Sequence, residues 1–368
     1  MKFTCEKEPL LKEMLIAHDT ISTKSTISIL SNVLLTTEKN QLKIMATDLK
    51  VSFSSKIPVQ TKAPGTIVVF CDRLMEILRS LPDGEVDFSL DENQVLSVIP
   101  RTTKANFKLK CIPSDKFPVQ QEIDDTLFHE FSQKDFIEMI VKTIYAISDD
   151  ETRFFLNGVF FEKDDAAFNM VASDGRRLAL ISKDSGPYKG TFAGVIIPPK
   201  ILNIVRKNSS GEGNLALAVT DKSIFIKIES RLFSSSLIEG KFPNYQKIIP
   251  EKNEFKVKVK RRTLEDSLKR VSILIENKTR SVIFQFSGKT MTISSEESEI
   301  GKAQEEIACE YTGQEAVLTF NYYYILEPLR VIDDDTVEIE FNDAKHAVIL
   351  KPVDNDRYFN IIMPLQSE

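Results

Sequence analysis

The sequence predicts an α+β protein made of three similar units, each with two helices packed on β-sheet. Three observations lead there. The chain has 368 residues, whereas single domains usually run to ~100–200 residues, so two or three are expected. Two motif pairs recur at nearly one offset, the mark of an internal repeat. Lys116-Phe117-Pro118 of KCIPSDKFPV (110–119) returns 125 residues on as Lys241-Phe242-Pro243 of SLIEGKFPNY (236–245), and Asp48 of MATDLK (45–50) returns 126 residues on as Asp174 of VASDGR (171–176). A third copy fits from residue 255, where SSEESE (294–299) falls near the place of the two Asp turns. The third observation is that periodic segments follow one another in the same order in each copy. The expected boundaries are 1–127, 128–254 and 255–368.

Each unit opens with a short strand and then an amphipathic helix. In the first, Leu11, Met14, Leu15 and Ala17 fit a helix over 8–19. In the second, Ser132 of SQKD is a cap followed three positions later by an acid, and Phe136, Ile140, Ile144 and Ile147 recur at helical spacing. In the third, Thr263 of TLED plays the cap, with Leu264, Leu268, Val271 and Ile275 recurring likewise. Second helices are expected over 71–81, over 199–209 behind Pro198-Pro199, and over 321–332, where Pro328 should kink or shorten the helix. Between them NFKLKC (106–111), SIFIKI (223–228) and TVEIEF (336–341) alternate apolar with polar residues, as half-buried strands do.

Composition narrows the class. With 42% hydrophobic and 28% charged residues the chain lies well inside the globular range. Its 13 glycines and 15 prolines form no rich linker, so the units should abut through short connections. The N-terminus MKFTCEKEPLLKEML is charged early and lacks the apolar core of a secretory signal. No run approaches the ~18 apolar residues of a membrane span. Cys5, Cys71, Cys111 and Cys309 have neither CxxC spacing nor a neighbouring histidine, so reduced and mostly buried thiols in a cytoplasmic protein are expected, without a metal site.

The net charge of −6 argues against a generally basic, nucleic-acid-gripping surface. The distribution is more informative. Residues 6–20 carry −2; 71–81, 132–148 and 321–332 carry zero; 198–210 and 260–278 carry +3 each. The six helices therefore total +4 and leave −10 for the remainder, a segregation that lets helices face phosphate while the outside stays acidic.

Several segments, in order along nearly the whole chain, resemble the bacterial DNA sliding clamp family. They are MKFTCEKEPLL, STISILSNVLL with ATDLK, RFFLNGVFFE with VASDGRRLAL, LIEGKFPNY and the C-terminal IIMPL. The succession LNGxxFE, SDGxRLA and xGxFPxY carries most of the specificity. The resemblance implies three clamp domains per chain and a head-to-tail homodimer closing a six-domain ring, with twelve helices lining the hole and sheets running around the outside. Such a ring encircles double-stranded DNA without reading its sequence, which reconciles an acidic chain with DNA binding. It also implies partners that dock through short peptide motifs: the replicative polymerase catalytic subunit, the clamp loader and repair proteins. No membrane and no cofactor are implied.

By the same resemblance, a peptide-binding cleft lies between the second and third domains. Its wall would hold Leu156; Ser173, Gly175, Arg176, Arg177 and Leu178; Pro243, Lys247 and Ile248; and Met363, Pro364 and Leu365 of the tail. Leucine, proline and methionine suit apolar peptide anchors, and flanking cations suit a peptide backbone or acid. The tail ends Gln366-Ser367-Glu368 where the family tends to a basic-apolar pair. Residues implied to face DNA are Lys24, Phe154, Phe155, Lys200, Asn321 and Tyr324, with Phe154 and Phe155 standing where tyrosines are usual and Ser28 and Ser31 where Pro and Gly are common. For the ring interface, Phe107 and Leu109 on an edge strand should meet the partner's Ile273 and Leu274, and Arg73 the acidic run Glu296, Glu297 and Glu299.

Catalysis has little to stand on. His18, His129 and His346 fall in separate units, and no P-loop, GxSxG, HExxH or dinucleotide fingerprint is present. Asp48 and Asp174 are repeat equivalents, so they read as turn residues rather than a carboxylate pair. No catalytic residue is assigned. The alternative to a clamp is a β-rich repeat scaffold for protein interactions that does not act on DNA.

Overall fold

The computed structural model describes residues 1–21, 28–118, 121–164, 166–185, 192–276, 278–299 and 301–366. Lys24, expected to face DNA, lies outside them, as do Ser367 and Glu368 of the tail.

One order of elements runs through the chain three times. The first repeat holds β1 (Lys2–Glu6), α1 (Lys7–Thr20), β2 (Asn32–Glu38), β3 (Gln41–Thr47), β4 (Val51–Pro58), a short β5 (Gln60–Ala63), β6 (Gly65–Phe70), α2 (Cys71–Ser80), β7 (Glu85–Leu90), β8 (Val95–Pro100) and β9 (Phe107–Lys110). The second holds β10 (His129–Ser132), α3 (Gln133–Val141), β11 (Val159–Lys163), β12 (Ala167–Ser173), β13 (Arg177–Asp184), β14 (Phe192–Ile197), α4 (Pro199–Asn208), β15 (Asn214–Val219), β16 (Ser223–Ile228) and β17 (Arg231–Ser236). The third holds β18 (Phe255–Lys260), α5 (Arg261–Val271), β19 (Ser281–Ser287), β20 (Thr290–Ser295), β21 (Gln304–Glu310), β22 (Ala316–Asn321), α6 (Tyr322–Val331), β23 (Thr336–Phe341), β24 (Val348–Pro352) and β25 (Tyr358–Ile362).

Contacts gather these elements into two compact units, Met1–Ile137 with Lys200–Leu237, and Glu138–Pro199 with Ile238–Glu368. The first unit contains a five-stranded sheet, β5-β1-β7-β8-β9, and an eight-stranded sheet, β10-β15-β16-β17-β4-β3-β2-β6. In it β17 of the second repeat pairs antiparallel with β4 of the first, Phe233 opposite Phe53. Leu10, Met14 and Ala17 of α1 and Leu74 and Leu78 of α2 are fully buried over this unit's core. The second unit contains a twelve-stranded sheet, β14-β11-β12-β13-β25-β24-β23-β18-β21-β20-β19-β22. There β25 of the third repeat pairs with β13 of the second, Leu178 opposite Ile361.

A second repeated device is the chain that leaves the last strand of each repeat. It crosses back to the edge of a sheet: Ile112 bridges Val68 on β6, Ile238 bridges Ile196 on β14, and the Leu365 N–H donates to the Thr319 carbonyl on β22 at 2.7 Å. The C-terminal tail is thus held as the two inter-repeat connections are. Edge strands otherwise leave backbone groups unpaired.

Most predicted elements appear near their expected bounds, with instructive differences. Ser132 caps α3 through the Asp135 N–H, yet α3 stops at Val141 rather than running to Ile147. Thr143 takes φ −128°, its hydroxyl donates to the Met139 carbonyl at 2.7 Å, and only a 3-10 turn, Ile144–Ala146, follows. The β-branched succession Ile140, Val141, Thr143 and Ile144 carries little helix preference of its own. In the third repeat α5 begins directly after β18, so Thr263 sits in its first turn and caps nothing; a 3-10 turn, Ser272–Leu274, then ends the helical stretch before Ile275. α6 keeps Pro328 inside, buried, at the loss of the backbone bond that a residue there would make to Tyr324. The strand TVEIEF alternates as expected, but Glu338 and Glu340 are buried beneath Lys256 and Lys351 instead of facing solvent.

All four cysteines are free; Cys5, Cys71 and Cys309 are buried, and burial pushes the Cys5 and Cys71 thiols up to about 12. Among the described residues no helix is long and apolar enough to cross a membrane, and no cluster of three or more His, Cys, Asp or Glu is gathered to hold a metal.

Candidate functional site

The turn between β12 and β13 shows how the sequence builds a site. Asp174 Oδ1 accepts the N–H groups of Arg176 and Arg177 at 2.8 and 3.0 Å, and the Ser173 hydroxyl accepts from Gly175 while donating to the Arg177 carbonyl. Short polar side chains binding nearby backbone in this way fix a tight turn. The first repeat makes the same turn with Thr47, Asp48 and Val51. Gly175 has φ +86°, a conformation glycine adopts freely, whereas its counterpart Leu49 holds φ +78° with a side chain. The two aspartates thus shape turns. Their outer oxygens each accept one cation, Arg177 on Asp174 and Lys200 on Asp48.

Arg177 is a tie rather than a free cation. Its guanidinium, 11% exposed, also reaches Glu327 on α6 and the Tyr145 carbonyl (2.7 Å) and lies 4.7 Å from the Tyr324 ring. Beneath it Tyr145 donates to Asn360 and meets the Tyr358 hydroxyl at 3.1 Å. Burial raises the Tyr145 phenol well above its ordinary range. The neighbouring Arg176 is exposed, and its carbonyl accepts the Met363 N–H at 3.0 Å, which fixes the tail beside the turn.

Around the β13–β25 seam lies an apolar cluster of Leu156, Val171, Leu178, Leu180, Ile196, Phe242, Tyr245 and Ile361. Phe242 stacks on Phe160, ring centroids 4.8 Å apart, and the Tyr245 hydroxyl donates to Glu162 at 2.5 Å. The twelve residues expected to form a cleft divide by depth. Leu156, Ser173, Leu178 and Pro364 are buried, and Arg177 and Leu365 half-buried. Gly175, Arg176, Pro243 and Lys247 are exposed, and Ile248 and Met363 leave apolar surface in solvent, 50% and 41% exposed. Val171, Leu180, Phe242, Tyr245 and Ile361 belong to the same cluster without having been singled out. Phe242 was legible as the invariant centre of the repeated Lys-Phe-Pro; the strand residues needed the β13–β25 register.

The residues expected to face DNA have other engagements. Asn321 caps α6, accepting the Tyr323 N–H at 3.1 Å. Tyr324 lies beneath Arg177, and Phe155 packs on the apolar cluster. The Lys200 ammonium donates to the Thr20 carbonyl and Asp48. Phe154 is largely exposed. On the two helical segments of net +3, Arg206 of α4 and Arg262 of α5 are exposed, and Arg262 meets Asp266 only at 3.9 Å.

The residues expected at the ring interface fall in two groups. In the first unit Phe107 and Leu109 are half-buried on β9, the edge of its sheet, and Arg73 is paired with Glu76 at 2.7 Å. In the second unit Leu274, Glu296 and Glu297 line one small pocket, Ile273 is 76% exposed, and Glu299 is exposed.

Comparison with known proteins agrees with this architecture. Family models match the chain in three consecutive pieces: DNA polymerase III beta subunit N-terminal domain over residues 1–121, central domain over 130–244 and C-terminal domain over 246–366. The Beta sliding clamp of Treponema pallidum is 41% identical over 372 residues, covering both chains fully. Among solved structures, a Pseudomonas aeruginosa sliding clamp bound to griselimycin superposes with TM-score 0.94 at 30% identity, and one from Bacillus subtilis with TM-score 0.95 at 24%, the latter a likeness of fold alone; both cover each chain fully. With its threefold β-α-β order and matches over all three parts, the chain belongs to the bacterial DNA polymerase III beta subunits, the beta sliding clamps, which are processivity factors and not enzymes.

Proposed function

We propose that two copies of this chain close head to tail into a ring that encircles duplex DNA, sequence-independently, and tethers the replicative polymerase, the clamp loader and repair proteins in the cytoplasm. The observation that carries the ring is the way repeats join. Twice the last strand of one repeat pairs antiparallel with the fourth strand of the preceding one, β17 on β4 and β25 on β13. The same rule leaves β9 and β21 to meet across copies. β21 touches β18 only at Cys309 and Glu310 and leaves Gln304–Ala308 with β20 alone among the described residues. The edges are complementary: β9 exposes Lys108 and Lys110, and β21 exposes Glu306 on its free stretch and Glu310 just beyond it. Opposite charges facing across strands favour β9 on β21 over either edge on itself, which selects the heterologous joint a ring requires.

In that ring 1–127, 128–254 and 255–368 serve as the three clamp domains. The exposed cations of α4 and α5, Arg206 and Arg262 foremost, supply phosphate attraction, while topology does the holding. Peptide motifs dock at the Leu178–Ile361 seam, resting on Met363, Ile248 and Pro243, with Arg176 and Lys247 positioned for backbone or acid. Arg177 supports that wall from behind.

Charge reversal tests the joint. Lys108→Glu with Lys110→Glu should give monomers by sedimentation equilibrium and loss of retention on nicked circular DNA. Adding Glu306→Lys and Glu310→Lys to the same chain should restore both. Dimers in the first variant, or no rescue in the second, would contradict it.

A further inference from the structure

The duplication that builds the apolar seam between β13 and β25 also builds a counterpart in the first unit between β4 and β17, with different chemistry. In strand register, Leu178 opposite Ile361 becomes Ser52 opposite Ser234, and Leu180 opposite Phe359 becomes Ser54 opposite Leu232. Beside the second unit's seam lies an apolar cluster, and beside the first unit's lies a groove of about 860 Å³. Leu34, Met45, Leu232 and Phe117 supply its apolar surface, Lys43, Lys56, Lys227 and Arg231 its cations, and Glu122, Asp125 and Glu229 its carboxylates.

Those lysines stand directly opposite one another on β3 and β4, with no ion-pair partner for either among the described residues. Like charges facing across an antiparallel pair destabilise it, so the empty fold gains nothing from them. The corresponding pair in the second unit, Asn169 opposite Ser182, satisfies itself with a 2.6 Å hydrogen bond. The other cations of the groove are occupied: Lys227 pairs with Asp125, and Arg231 with Glu13.

We propose that this groove is a second docking site, for an extended acidic segment of a partner protein. Two of its carboxylates engage Lys43 and Lys56, and an apolar side chain between them rests on Met45, Leu34 and Leu232. The volume is that of a small-ligand or peptide site, and Ser54, Ser55 and Ser230 in its lining suit it poorly to the apolar motifs of the other seam. One ring would then present two kinds of dock, separable by the charge of the ligand.

Fluorescence anisotropy of the full-length protein tests this with a fluorescein-labelled peptide, Glu-Leu-Asp-Glu-Phe-Asp. Saturable binding is expected, weakened at least tenfold by Lys43→Glu with Lys56→Glu and by Leu232→Asp, and unchanged by Met363→Ala. Lys43→Glu with Lys56→Glu should melt with the parent without peptide, because like charges still face each other, which separates lost binding from lost folding. Lys56→Gln should melt slightly higher because the repulsion is gone. No saturable binding, equal binding to the charge-reversed protein, or loss in Met363→Ala would overturn the proposal. Displacement by an equally charged oligothymidylate would overturn the assignment to a peptide.

Discussion

Replacing Arg177 by Gln should loosen the second unit while leaving the charge of the exposed rim intact. The guanidinium now serves Asp174 at 3.1 Å, Glu327, the Tyr145 carbonyl at 2.7 Å and the Tyr324 ring. Glutamine cannot reach all of these, so Glu327 and the carbonyl are left short of a donor. Breaking a buried ion pair costs about 3–5 kcal/mol; because Asp174 and Glu327 are partly exposed, about 2–3 kcal/mol is expected. For a unit of this size that corresponds to a melting-point drop of roughly 4–12 °C. Arg176→Gln, one residue away and solvent-exposed, should fall within about 0.5 kcal/mol of the parent. The chain has no tryptophan, so circular dichroism should follow unfolding, with hydrogen exchange of β13 and α6 amides locating the loss. A double-mutant cycle with Glu327→Gln should return a coupling of about 1 kcal/mol or more. If Arg177→Gln melts with the parent, or if Arg176→Gln is as damaging, then Arg177 is not the tie described here.

Three further outcomes are expected. Met363→Ala removes an exposed side chain, so it should weaken a labelled Leu- and Phe-bearing clamp-binding peptide about tenfold, the effect of losing ~1.4 kcal/mol, with unchanged melting; unaltered affinity would remove the tail from the cleft. Ile273→Ala with Leu274→Ala should shift the sedimentation equilibrium to monomers, and a persistent dimer would mean the contact lies elsewhere. The third concerns acid. Although burial opposes it, hydrogen bonds from Lys256, Glu338, Asn253 and Lys351 lower the Glu340 carboxyl to about 2 from its ordinary 4.5. A depressed carboxyl stabilises the fold above its unfolded value and loses that contribution as pH falls from 4.5 through 2. Glu338, raised by burial, shifts the opposite way and offsets part of it. Glu340→Gln should therefore flatten the loss of stability between pH 5 and 2, as read by urea midpoints; an unchanged acid limb would count against the buried network.

Much of the fold was legible because duplicated local signals reinforce one another. The Asp48 and Asp174 turns and the Lys-Phe-Pro connections each repeat a backbone need as well as a motif. The third repeat was harder to read because its β20–β21 turn uses no aspartate; the Ser295 hydroxyl accepts the Ala303 N–H instead. Helix ends failed where a local conformation overrode periodicity, as at Thr143. In the proposed cleft, the residues named from sequence belong to contiguous motifs, while Leu180, Phe359 and Ile361 come beside them only through pairing of strands far apart in the chain. Sequence also could not say which of Arg176 and Arg177 is the tie: both carry one charge beside the turn, and the Glu327 and Tyr145 contacts distinguish them. Similarly, the positive balance of α4 and α5 was countable, but which cations are paired depends on Asp48 and Asp19 for α4 and on Glu265 and Glu305 for α5.

Retention on DNA tests the central claim most directly. The protein, loaded by its clamp loader onto a nicked circular plasmid and washed in high salt to screen phosphate contacts, should co-elute with the circle in gel filtration and be released once the circle is cut by a single-site endonuclease. Loss from the circle in high salt, or equal retention before and after cutting, would contradict encirclement and return the DNA claim to ordinary surface binding.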